Sequence, residues 1–372
     1  MTDMAGLGLS RRFYEQVVSP LLANVPHSAC LLGDGSEVLG FDDDVSTDHD
    51  FGPRLQVLVR SETDATLAVD LLTVEVLPQA FEGFPVAYAD ADRLSGAAHH
   101  QIDVATVAQF FRGRIGWDPI APASLADWLT TPTQRLATLV GGEVFHDPDG
   151  SLARRRAALQ WYPDDVWRYV LAASWLRISQ EESFIGRTGS RGDNLGSALI
   201  AGRVARDVIQ LTFLLERCWA PYSKWLGTAF ARLPLAATVG PHLDAAMRAV
   251  GWREREQEIC AAQRKLALAT NRLGLAAQVD PEPRQFFDRD IRVLFGDRFT
   301  RVLTEQVTDP DVRALIDRLG ARSVDGPSVL PGAIDQAIDS VDVLTHPELC
   351  RSAAAVLGLA PAPRRPMNVA HD

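Results

Sequence analysis

Residues 33–59 read Gly-Asp-Gly-Ser-Glu-Val-Leu-Gly, then Phe-Asp-Asp-Asp-Val-Ser-Thr-Asp-His-Asp-Phe-Gly-Pro-Arg, then Leu-Gln-Val-Leu-Val. A short apolar run over 29–32 leads into Gly35-Ser36. Asp48-His49-Asp50 follows twelve residues later, with a second apolar run, 55–59, close behind. Two carboxylates at i and i+2 in extended chain point to the same side, about 6.5 to 7 Å apart at the backbone. From that side they can grip one or two magnesium ions. A Gly-Ser at the mouth of a helix offers a hydroxyl and free backbone N–H groups to a phosphate. Together these features describe a site for a metal-bound nucleotide.

Working outward, the 372-residue length favours two domains over one. Hydrophobic content of 47% and a mean hydropathy of −0.03 fit a globular protein with a sizeable core. The net charge of −11 argues against a broad nucleic-acid-binding face. Cys30, Cys218, Cys260 and Cys350 are scattered with no Cys-x-x-Cys, which reads as reduced cytosolic thiols. No apolar stretch reaches membrane-spanning length, and the first residues lack the apolar core of a signal peptide, so a cytoplasmic protein is expected. Of 37 basic residues only Lys224 and Lys265 are lysines, so a surviving lysine either does something arginine cannot or is a chance retention.

The chain in order predicts a helix over 9–25, with Phe13, Val17, Leu21 and Val25 at four-residue spacing and Pro26 as its stop. Strands are predicted over 29–32 and 55–59, a helix over 62–72 and a strand near 84–88. Residues 101–107 are apolar around one acid, Asp103. A carboxylate between Ile102 and Val104 is costly on a buried strand unless paired or metal-bound. From about 151 the pattern is almost purely helical. Tyr162-Pro163-Asp164-Asp165 marks a helix start. Further helices are predicted over 195–219, 241–250, 254–273 and 291–307, with a polar, Gly-rich break over 186–193. The expected organisation is α+β. A mixed sheet with flanking helices over 1–150 precedes an all-α domain over 151–358 and a disordered, Pro-rich tail over 359–372.

Several familiar motifs fail. Gly35 to Gly40 fits the first half of a phosphate-binding loop, but Phe41-Asp42 stands where Lys and Ser/Thr must be. Gly33-x-Gly35 has no third glycine at Val38, so the dinucleotide fingerprint fails too. His99-His100 reads as a surface pair, because a zinc site would need further ligands.

What survives is Gly35-Ser36, Asp48-x-Asp50 and Asp103, in that order. The set resembles the signature of the nucleotidyltransferase superfamily, the group that includes DNA polymerase beta and kanamycin nucleotidyltransferase. Over about residues 10 to 305 the chain also resembles an uncharacterised bacterial family of nucleotidyltransferase-like proteins. That likeness is carried by Ser46-Thr47-Asp48-His49-Asp50-Phe51-Gly52-Pro53-Arg54, by Gln180-Glu181-Glu182 with Gly186-Arg187, and by Ala220-Pro221-Tyr222-Ser223-Lys224-Trp225. The resemblance implies a small mixed sheet flanked by helices, then a helical domain that closes over the nucleotide. It assigns Asp48, Asp50 and Asp103 to magnesium, with two metals possible, and Gly35, Ser36, Ser223 and Lys224 to the triphosphate. A lysine suits that role as a mobile point charge, where arginine would impose a planar fork. Arg187 and Arg54 become candidates for phosphate or acceptor contacts. Glu181 and Glu182 are read either as an acceptor-activating base or as a charged helix end, and Asp193 as a possible helix N-cap. Two departures stand out: a long gap to Asp103, and Gly52-Pro53 interrupting the strand after Asp50.

The implied reaction is magnesium-dependent transfer of a nucleoside monophosphate from an NTP to an acceptor hydroxyl, with release of pyrophosphate. A small-molecule acceptor suits the acidic surface. A tRNA end or a protein side chain is the alternative within enzymes. The rivals from other classes are a catalytically silent nucleotide-binding regulator and a helical interaction module.

Overall fold

The computed structural model describes residues 5–42, 52–89, 98–320 and 329–359. The fold is α+β, with a mixed four-stranded sheet followed by a helical region. Two compact units interleave along the chain: 1–123, 133–162 and 217–232 contribute to the first, and 124–132, 163–216 and 233–372 to the second.

The sheet of the first unit is built from β1 (His27–Leu31), β2 (Leu55–Val59), β3 (Ile102–Thr106) and β4 (Glu143–His146). Their spatial order is β3-β2-β1-β4. β1 runs antiparallel to β2 and β4, while β3 is parallel to β2. Every residue of β1 and β2 is buried, as continuous apolar runs in central strands require. One face packs Ala29, Val57 and Ile102 against Phe13, Val18, Leu22 and Leu72.

The register places the functional segments. Cys30 pairs with Gln56, and Gln56 with Asp103. The exit of β1, the entry of β2 and the entry of β3 therefore share one end of the sheet. The turn at 33–36, Arg54 and Asp103 all lie at that end. β2 begins at Leu55, after a bend at Gly52-Pro53.

Asp103 corrects one expectation. β3 is an edge strand, and its acid side chain is 57% exposed rather than buried. It therefore has little desolvation cost to offset. His99 and His100 are half-buried on a short ladder rather than on the surface. The N-terminal helical segment starts at Ala5 and ends at Leu21, short of the predicted Val25, with a π turn over Tyr14–Val18. Pro20 explains the π turn, because it lacks an N–H and its ring crowds the carbonyl one turn back; the wider turn before it relieves the clash. β4 was not expected. Its four residues follow Gly141-Gly142 and carry no alternating pattern, and the pairing with β1 alone defines it.

In the second unit the helices Asp164–Glu181, Asn194–Leu215 and Trp252–Arg272 supply the core. Trp167, Tyr169 and Trp175 are fully buried, and Trp175 stacks on Phe299 with centroids 4.6 Å apart. Asp193 is an N-cap, its carboxylate accepting the Gly196 N–H at 2.7 Å. The break expected over 186–193 is partly helical, as Phe184–Gly189. The helix expected over 291–307 is shorter, Asp297–Glu305, and is preceded by the short strand Arg292–Val293. Phe295 at φ 59° stops a helix from starting earlier.

Candidate functional site

The turn after β1 is shaped by two glycines. Gly33 has φ 91° and Gly35 φ 134°, conformations that side chains rarely adopt. Space matters as much as torsion. A Cβ on Gly33 would lie 2.6 Å from Arg114 Nη1, and one on Gly35 would overlap Arg54 Nη2. The glycines let two guanidinium groups lie directly on the turn. Gly33 N–H also donates to the Thr138 carbonyl at 3.0 Å, which ties the turn to the helix Thr133–Val140.

The helix expected to open at Ser36 is only a single 3-10 turn, Glu37–Leu39, with Ser36 as its N-cap. Three residues sum to a negligible dipole, so a helix mouth supplies little positive potential here. Arginines supply it instead. Arg54 donates through Nε to Glu37 Oε1 at 2.7 Å and through Nη2 to the Asp34 carbonyl at 2.6 Å. Arg135 Nη1 donates to Asp34 Oδ1 at 2.8 Å. Arg114 Nη1 lies 3.5 Å from Asp34 Oδ2, and its Nη2 lies 4.0 Å from Asp103 Oδ2. The Arg114 guanidinium is also held over the Phe110 ring at 4.8 Å. Sequence reasoning named Arg54 but missed Arg114 and Arg135. In a chain whose cations are nearly all arginine, nothing local distinguishes them.

Asp103 and the Gly35-Ser36 turn are thus brought together, with Arg114 bridging them through Asp34. Asp48 and Asp50 lie outside the described residues. Among the described residues no group of three or more His, Cys, Asp or Glu is arranged to hold a metal ion. Asp103 fits the donor type that magnesium prefers: a carboxylate, largely open to water, whose ion pair with Arg114 is long, at 4.0 Å.

Ser223 and Lys224 are exposed at the start of the helix Ser223–Ala231, which belongs to the same unit as the sheet. The chain just beyond the turn anchors this helix. Phe41 stacks on Trp225 at 5.2 Å, Arg232 lies over Phe41 at 4.1 Å, and Arg232 donates to the Gly40 carbonyl at 3.0 Å. The Lys224 ammonium lies 4.9 Å from the Trp225 ring centre. A cavity of about 340 Å³ adjoins the 3-10 turn, walled by Val38, Phe41, Ala137, Val140 and Trp219. Ala137 and Val140 occupy a different face of their helix from Arg135, so this cavity is separate from the arginine cluster.

Glu181 and Arg187 belong to the second unit. Glu181 pairs with Arg203 at 3.5 Å, and the Arg187 guanidinium lies over Phe184 at 4.9 Å. Glu182 is buried, and its carboxylate accepts the N–H groups of Leu294 at 2.9 Å and Gly296 at 3.2 Å. Burial pushes its pKa up to about 7. Its position is that of a support for the 294–296 loop.

Residues 128–226 match a family described as a domain of unknown function (DUF4037). That span contains Glu181, Arg187, Ser223 and Lys224 but none of residues 33–59. No curated protein matches the chain. Among solved structures it is similar to a nucleotidyltransferase-like protein from Exiguobacterium sibiricum 255-15, with TM-score 0.32 and 11% identity, covering 82% of this chain and 92% of that one. Among the described residues no helix is long and apolar enough to cross a membrane.

Proposed function

We propose that the chain transfers a nucleoside monophosphate from an NTP to an acceptor hydroxyl on a small molecule, releasing pyrophosphate. The observation that carries this reading is the gathering of three elements at one end of the sheet. These are the Gly33–Ser36 turn under its arginines, the open carboxylate of Asp103, and the entry of β2, the strand that follows Asp48 and Asp50 in sequence.

In this reading the turn and its arginines hold the triphosphate, and Lys224 with Ser223 adds a mobile cation and a hydroxyl. Asp103 orients the acceptor hydroxyl and takes up its proton as the new phosphoester bond forms. Asp48, Asp50 and Asp103 are the residues that would hold magnesium. When bound, the metal neutralises charge on the transferring phosphoryl group and lowers the pKa of the attacking hydroxyl. Chemistry of this kind depends on positioning and charge compensation more than on a covalent intermediate.

The test is magnesium-dependent pyrophosphate release across the four NTPs with panels of small-molecule acceptors, products being read by mass spectrometry. Asp103→Asn and Asp48→Asn are each expected to lower the rate by about 100- to 1,000-fold, the scale on which a charge-stabilising group contributes. Wild-type turnover in Asp103→Asn would remove the reading. NTP binding without pyrophosphate release by the wild type would favour a nucleotide-binding regulator instead. A tRNA acceptor would show a steep loss of activity with salt, which a small molecule would not.

A further inference from the structure

We infer that Arg114 and Arg135 form the polyphosphate grip of this site, and that Asp34 holds the pair in its absence as a built-in competing anion. The inference rests on reading the turn as the phosphate site. It goes further by naming the cations and the group that a ligand must displace.

Both arginines are mostly covered: their side chains are 22% and 14% exposed. Their guanidinium groups nevertheless converge on one carboxylate that is itself 74% exposed. An acid serving only as a structural staple is better sited among its partners than out on the rim. Arg114 arrives from the helix Val107–Ile115 and Arg135 from Thr133–Val140, helices seated by their own buried residues, Phe110 and Phe111 in one and Leu136 and Leu139 in the other. Arg114 stacks on Phe110, and its helix starts with a capping box at Thr106. The helix carrying Arg135 receives the Gly33 N–H. Asp34 can therefore swing into water while the two cations stay in place.

Arg54 is a contrast. It is paired with buried Glu37 and with the Asp34 carbonyl, so it braces the turn from behind. Water around the exposed Asp34 carboxylate weakens its pull on the two arginines, and a polyanion that offers several oxygens to two planar forks outcompetes it. The ligand class is a linear polyphosphate, such as the triphosphate of a nucleotide or pyrophosphate. Asp34 also disfavours singly charged anions, which gain too little to displace it.

The experiment is calorimetric titration of the full chain with inorganic tripolyphosphate, without magnesium, at low and moderate salt. Asp34→Asn is expected to bind at least tenfold more tightly than wild type. Arg114→Gln and Arg135→Gln are each expected to bind at least tenfold more weakly, with a shallower salt dependence. Thermal melts check each fold, and Asp34→Asn decides the matter even if an arginine variant fails to fold. If Asp34→Asn binds no more tightly and only melts earlier, Asp34 is a staple and the inference is overturned. Because no turnover is read, the outcomes separate. Tripolyphosphate binding as described without NTP turnover leaves the grip standing and removes the transferase reading. Turnover with unchanged polyphosphate affinity in all three variants does the reverse.

Discussion

A Cβ at Gly35 would overlap Arg54 Nη2 on a backbone held at φ 134°. Gly35→Ala is therefore expected to lower stability by about 1 to 3 kcal/mol and to weaken nucleotide binding through the displaced arginine, both measurable by thermal melts and titration calorimetry. A second residue-scale expectation concerns two buried acids far from the turn. Glu182 and Glu256 are 4% and 6% exposed, and burial pushes both pKa values up to about 7. Around Glu256 stand Arg253, Asp290 and Arg292, with Cys260 nearby; Asp297 faces Glu182. One oxygen of Glu256, Oε2, has no hydrogen-bond partner among the described residues. An unfolded glutamate titrates near about 4.3, so the folded chain binds the extra protons between that value and about 7. The stability these groups contribute is complete at low pH and is lost as pH rises through about 7. Glu256→Gln is expected to raise the melting temperature at pH 8 and to leave it nearly unchanged at pH 4. An equal gain at both pH values would rule out a charged, desolvated Glu256.

At the scale of elements, the helix Ser223–Ala231 depends on Phe41. The ring stacks on Trp225 and lies under Arg232, and it is 9% exposed. Phe41→Ala is expected to cost about 3 kcal/mol and to speed amide exchange in residues 223–231 ahead of the sheet. Lys224→Ala should leave stability within about 0.5 kcal/mol, because the side chain is exposed, yet weaken NTP binding if the lysine meets the triphosphate. Elements written in local pattern were legible. β2 matches the predicted 55–59 run, and the long helix Trp252–Arg272 nearly matches 254–273. The Asp193 cap was also legible, because the acid stands three residues before the N–H it accepts. What escaped depended on partners: β4 exists through its pairing with β1, and the π turn through Pro20.

Across the whole molecule the two units trade segments. Residues 217–232 return to the unit of the sheet after 163–216 have contributed to the other. A fragment ending at residue 162 would lack both Trp225 above Phe41 and Trp219, which donates to the Leu159 carbonyl at 3.0 Å. Such a fragment is expected to bind a hydrophobic dye and to melt without cooperativity, whereas the full chain should not. By itself the sequence determined the α+β order, the strand over 55–59, the turn at Gly35-Ser36 and the acid at Asp103. Periodicity, caps and breakers act within a few residues and leave a readable trace. Only the tertiary structure decided that Asp103 is open to water on an edge strand, and which arginines reach the turn. Arg114 and Arg135 meet Asp34 across 80 and 101 residues of chain. A contact between charges that far apart imposes no period on the residues between them, so only the folded sheet and the helices beside it reveal it.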